Sequence, residues 1–243
     1  MICASTTSAI LLDGLTVFYK RNDDMTNILC FGDSNTFGTN PSGGRWMLHE
    51  RWPSVLHDLL GEEYRIVEEG LGGRTTVIED DLEGDKNGRR HLPMLLRSHR
   101  PLDLVILMLG TNDLKHRFSM LPEDIARGAE ELGKIVENYD YGSAYPTPRV
   151  LLVCPPHLRQ GIEHSVFTGF SSDAVETSHQ LSLLYRKAAE KHNWLFFDAA
   201  TVAKASERDK LHMECADHRK LAEALYSLIT TNRFPPSFNP VRG

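Results

Sequence analysis

Short apolar runs alternate with amphipathic helical stretches along most of this chain, and that alternation restricts the fold more than any other feature. The run Asn27–Phe31 (NILCF) reads as a strand ending at Gly32. Trp52–Leu60 follows as a helix, with Pro53 in the first turn, where a missing N–H does no harm. Tyr64–Val67 reads as a second strand and Leu102–Leu109 (LDLVILML) as a third. The third is nearly all apolar between Pro101 and Gly110, as suits a strand covered on both faces. Pro122–Tyr139 places Ile125, Ala129, Leu132, Val136 and Tyr139 on one helical stripe. Arg149–Cys154 (RVLLVC) is a fourth strand, stopped by Pro155 and Pro156. Ser178–His192 reads as helix and Leu195–Asp198 as a fifth strand. Asp217–Ile229 is a closing amphipathic helix, with Asp217 as its N-cap. Strands separated by helices of this length pair in parallel, so the pattern predicts an α/β fold. Its form is a three-layer α/β/α sandwich around a central parallel five-stranded sheet. Chemistry in such sheets sits just beyond the carboxyl ends of the strands.

With 243 residues the chain is long enough for one domain with a substantial core. Residues 1–26 read as an extension before a single domain over 27–243, with Met25 as a candidate start. Met1–Leu15 lacks the basic stretch of a signal peptide, and Asp13 interrupts it. No apolar run approaches the roughly 20 residues that cross a membrane. A net charge of -6 argues against a nucleic-acid partner, which calls for a basic patch. Cys3, Cys30, Cys154 and Cys215 form no CxxC pair, and free thiols of this kind suit the cytoplasm. Glu214, Cys215 and His218 lack ligand spacing, so no metal is expected.

Four short blocks follow predicted strands. In Gly32-Asp33-Ser34-Asn35, a tight strand-to-helix turn would expose the serine hydroxyl and aim backbone N–H groups at it, although Asp33 or Ser34 could equally cap a helix. Gly70-Leu71-Gly72-Gly73-Arg74-Thr75-Thr76 lets backbone approach a ligand, or is a plain turn; it lacks the spacing of phosphate and dinucleotide loops. Arg74 reads as an anion ligand or, preferably, as a partner for Asp80 or Asp81. In Gly110-Thr111-Asn112-Asp113, the Asn112 amide is an oxyanion donor or part of an Asx turn. In Asp209-Lys210-Leu211-His212, the offset lets a carboxylate reach Nδ1 of the ring while Nε2 faces a serine, but a lone Asp-x-x-His is not specific.

Taken in order, these blocks make the chain resemble the SGNH hydrolases, a branch of the GDSL esterases and lipases. The resemblance covers most of residues 27–230 and implies a flavodoxin-like sheet. It implies Ser34 as nucleophile, His212 as base and Asp209 as the group that orients the base. The Ser34 and Gly73 N–H groups and the Asn112 side chain would form the oxyanion hole. The implied enzyme is a serine esterase working through an acyl-enzyme, with no cofactor and a small-molecule ester as its substrate. Asn35 departs from the usual leucine of Gly-Asp-Ser-Leu, and Glu68-Glu69-Gly70 stands where many members have asparagine. Glu-Glu-Gly-Leu, Arg-Thr-Thr and Trp-Pro-Ser-Val-Leu at Trp52–Leu56 are similar to the bacterial arylesterase and acyltransferase branch. That branch implies short-chain esters, acyl transfer to alcohols and a homo-oligomer such as an octamer. Asp33, Phe37, Trp46 and Phe167 are the expected pocket residues, and the long segment 155–177 reads equally as a cover over the site or as plain surface packing. A carbohydrate O-deacetylase or thioesterase would use the same machinery; a non-catalytic binding protein would not need all of it.

Overall fold

Two sheets make up the strands of the computed structural model, which describes residues 8–12, 15–19, 25–167 and 169–232. β1 (Ser8–Leu12) and β2 (Leu15–Tyr19) pair antiparallel as a two-stranded ribbon, with Leu12 opposite Leu15. The rest of the expected extension, 1–7, 13–14 and 20–24, lies outside the described residues, as do 233–243 at the expected domain's end. The second sheet is parallel and has five strands: β3 (Thr26–Gly32), β4 (Tyr64–Gly70), β5 (Leu104–Met108), β6 (Arg149–Cys154) and β7 (Leu195–Asp198). Their order is β4-β3-β5-β6-β7. The chain steps outward from β3 to β4, then crosses back over β3 to β5. That reversal opens a crevice at the carboxyl ends of β3 and β5.

Alternation along the strands divides the core. Leu29, Phe31, Val105 and Leu107 face one layer, made by α3 (Gly88–His99), α4 (Pro122–Asn138) and α5 (Asp173–Lys191). Ile28, Cys30, Leu104 and Ile106 face the other, made by α2 (Trp52–Leu60) and α6 (Cys215–Thr231). This is the expected three-layer sandwich. Its inner strands are apolar through their centres because both faces are covered there.

One helix and two helix starts differ from expectation. α3 is an element that the sequence reading did not include, and it holds Pro93 in its interior. The Asn87 side chain caps it at 3.0 Å, and Leu92, Leu95 and Leu96 are buried one turn apart. α5 begins at Asp173 rather than Ser178, so the irregular segment after β6 is shorter than 155–177. α6 begins at Cys215, with Glu214 as N-cap. The Asp217 and His218 N–H groups already bond the Glu214 carbonyl, at 2.9 and 3.0 Å, which puts Asp217 in the first turn instead of at the cap. Its charge is still well placed there, near the positive end of the helix.

One glycine sets how closely the site can be built. Gly70 ends β4 directly beneath α1 (Ser34–Phe37), where a Cβ would lie 2.0 Å from the Phe37 backbone nitrogen. Gly70→Ala is expected to push α1 off the sheet and to destabilise the fold by about 1–3 kcal/mol. Thermal denaturation checks this: an unchanged Tm would mean that α1 does not depend on that approach.

Candidate active site

The turn after β3 is short and closed at both ends. Asp33 is the N-cap of α1, its Oδ1 accepting from the Asn35 N–H at 2.9 Å. Gly38 ends the helix in the left-handed region at φ 84, leaving a single turn. Ser34 therefore occupies the first helical position, where a backbone N–H has no intrahelical acceptor. Among the described residues nothing accepts from it.

Two loops flank that turn. In the first, Gly73 takes φ 80, and its N–H also has no acceptor among the described residues. In the second, the Asn112 amide donates to the Arg74 carbonyl at 3.1 Å, which holds the side chain with its other amide hydrogen available. Asp113 ties the loops together by accepting from the Thr76 N–H and hydroxyl, at 3.0 and 2.5 Å.

The segment before α6 brings in the imidazole. Asp209 Oδ2 accepts from His212 Nδ1 at 2.7 Å, and its Oδ1 accepts from the Leu211 and His212 N–H groups, each at 3.0 Å. Burial alone would raise this carboxyl, but those hydrogen bonds outweigh it and hold Asp209 below the usual carboxylate range. An ionised carboxylate on Nδ1 fixes the tautomer, so Nε2 is the ring atom left to accept a proton.

Ser34, Gly73, Asn112 and His212 all line one cavity of about 370 Å³. Four blocks far apart in sequence thus meet at the switch point of the sheet. The sequence profile of the GDSL-like lipase/acylhydrolase family matches residues 30–221. The chain belongs to that family. Solved structures of similar proteins agree. An aryl esterase from M. smegmatis is 38% identical with a TM-score of 0.80, covering 85% of this chain and 99% of its own. A carbohydrate acetylesterase from Sinorhizobium meliloti is 36% identical with a TM-score of 0.81, covering 86% of this chain and 100% of its own. No curated protein matches the chain.

In this GDSL-like acylhydrolase the expected pocket residues separate. Phe167 lines the cavity, its ring edge-on to His212 at 5.1 Å between centroids. Phe37 does not: it is covered by the Arg45 guanidinium at 3.9 Å. Nor does Trp46, whose indole N–H donates to the Met213 carbonyl at 3.2 Å. Asp33 lies buried beneath the site. The remaining wall includes three residues that sequence reasoning missed, Glu83, Lys115 and Arg117. Arg74 does not pair with Asp80 or Asp81. It donates to the carbonyls of Gly32 (2.8 Å) and Glu69 and lies over the Phe31 ring, because the strand ends offer buried acceptors there. Asp80 instead takes Lys115 and Arg117, at 3.3 and 2.5 Å. Glu214 accepts from the Ser206 hydroxyl and His218 accepts from the Trp52 N–H, so these two point to different neighbours.

Burial pushes the Asp33 carboxyl up to about 6, against the pull of the Asn35 N–H, His212 and Arg74. A folded-state pKa above the unfolded one stabilises the fold fully below the unfolded value, near 4, and loses that contribution as pH rises through about 6. Asp33→Asn removes the titration while keeping an oxygen for the cap. The variant is expected to gain stability over wild type at pH 8, by up to about 3 kcal/mol, with the gain vanishing near pH 4. Equal differences in Tm at both pH values would show that the ionised form carries no penalty.

Proposed function

We propose that this chain hydrolyses short-chain or aryl carboxylic esters through an acyl-enzyme on Ser34. The observation that carries the proposal is the shared cavity: a serine at a helix start, an imidazole oriented by a buried carboxylate, Gly73 and Asn112 all line one space. In the first step His212 Nε2 takes the Ser34 proton as Oγ attacks the ester carbonyl. The Ser34 and Gly73 N–H groups and the Asn112 amide stabilise the oxyanion. His212 then gives its proton to the leaving alcohol as the tetrahedral centre collapses to the acyl-enzyme. A water molecule repeats the sequence and releases the acid and free Ser34.

The cavity also limits the substrate. Its volume is near the lower end for ligand sites, and Val166, Phe167, Phe170 and Leu211 supply an apolar side. This supports a short acyl or aryl group over a long lipid chain. Glu83, Lys115 and Arg117 make the opposite side charged, which favours as second reading an O-deacetylase acting on a hydroxyl-rich alcohol. On either reading an alcohol can replace water at the acyl-enzyme, giving acyl transfer; hydrolysis products alone in alcohol–water mixtures would exclude this.

Exposure to a small organophosphonate ester is expected to add one adduct to the wild-type mass and none to Ser34→Ala. Absence of an adduct on folded wild type would move the chain to the binding proteins. A panel of p-nitrophenyl esters and acetylated sugars separates the two substrate readings by kcat/KM. Asn112→Ala is expected to lower kcat by roughly two to three orders of magnitude, as loss of one oxyanion donor does, with Tm little changed. A loss below about fivefold would remove Asn112 from the oxyanion hole.

A further inference from the structure

We infer that Asn35 is a positioning residue for the base, and that its carboxamide sets where His212 stands relative to Ser34. The inference rests on the reading of Ser34 and His212 as nucleophile and base.

Asn35 is 1% exposed, and its side chain does not point toward the substrate cavity. Its Oδ1 accepts from the Met213 N–H at 3.0 Å, and its Nδ2 donates to the Leu211 carbonyl at 3.4 Å. The Leu211 carbonyl and the Met213 N–H flank His212 and both turn to the same side chain. One carboxamide thus grips the backbone on both sides of His212, as a neighbouring strand would. Trp46 lengthens that edge by donating to the Met213 carbonyl. The opposite edge is held separately: the His212 N–H donates to Asp209, and the His212 carbonyl accepts from the Ser206 N–H at 2.7 Å.

The two edges carry different information. Asp209 and Ser206 fix the histidine within its own loop. Asn35 refers that loop back to the nucleophile, because it is the next residue after Ser34 on the same buried turn. A leucine here could fill the volume but could neither donate to Leu211 nor accept from Met213, leaving both backbone groups unpaired. The base would then be free to shift, and a displacement of about 1 Å lowers the rate of such a reaction roughly 100-fold.

The test compares the full-length wild type with Asn35→Leu and Asn35→Asp. Four quantities are read: kcat and KM for p-nitrophenyl acetate, the rate of phosphonate adduct formation at Ser34 by intact mass, and Tm. Asn35→Leu is expected to lower kcat and the adduct rate about 10- to 100-fold, with KM within about threefold of wild type. Asn35→Asp keeps the size and the Met213 acceptor but has no donor for Leu211. Its kcat and adduct rate are therefore expected to fall as well, with KM near the wild-type value. Folded Asn35→Leu with kcat and adduct rate within about threefold of wild type would overturn the inference. If Asn35→Leu does not fold, Asn35→Asp decides: a reduced kcat and adduct rate with KM near wild type support positioning, and wild-type values overturn it. A wild type that forms no adduct at all would instead sink the reading of Ser34 itself, and this inference with it.

Discussion

Strand β3 is hydrogen-bonded along both edges, to β4 and to β5, and all seven of its residues are buried. Everything in the site takes its position from where that strand ends. Gly32 lies level with Gly70 on one side and Met108 on the other, so three strand ends finish together. The serine turn, the glycine loop and the Asn112 turn start from that common line. The chain reverses beside β3, and the cavity lies where the turns that follow β3, β4 and β5 meet. α1 crosses this line only because Gly70 has no side chain in its way.

Polar groups beneath the cavity hold the turns still. Asp33, Asp113, Asp209 and Arg74 are all nearly inaccessible, and each is anchored to backbone of another turn or of its own. Burying such groups is unfavourable unless their hydrogen bonds are made. Once made, those bonds leave few alternative arrangements, which is what a site acting through sub-ångström geometry requires. Burial pushes Asp113, like Asp33, up to about 6, whereas Asp209, with two backbone N–H groups and an imidazole, stays low. On the cavity wall the same logic gives a charged quartet. Asp80 and Glu83 share Lys115 and Arg117, so the charges there compensate one another.

Much of this was legible in the sequence, for reasons that differ by element. β3, β5 and β6 were clear because a strand covered on both faces must be apolar through its centre, whereas the β1–β2 ribbon was read only as part of an extension. α2 and α4 showed a periodic stripe and a proline in the first turn. α3 carried a usable signal in Leu92, Leu95 and Leu96 that went unread; its Pro93 is tolerated because the rest of the helix is capped and packed on the sheet. The start of α6 was misplaced because Asp217 is a good cap by type, while the actual cap, Glu214, makes no side-chain cap bond. Trp46 and Phe37 follow the serine closely, yet proximity in sequence said nothing about the direction of their rings.

The sequence by itself determined the fold class and the four chemical blocks, since both depend on local pattern: apolar periodicity, glycine at tight turns, and residue types with the right donors and acceptors. Only the tertiary structure decided what those residues do to one another. Arg74 chose strand-end carbonyls over carboxylates, Glu83, Lys115 and Arg117 came to line the cavity, and Asn35 closed on the backbone around His212. Each of these is a contact between segments distant in sequence. Its energy depends on burial and on which competing partner lies within 3 Å or so, and neither quantity exists until the chain has folded.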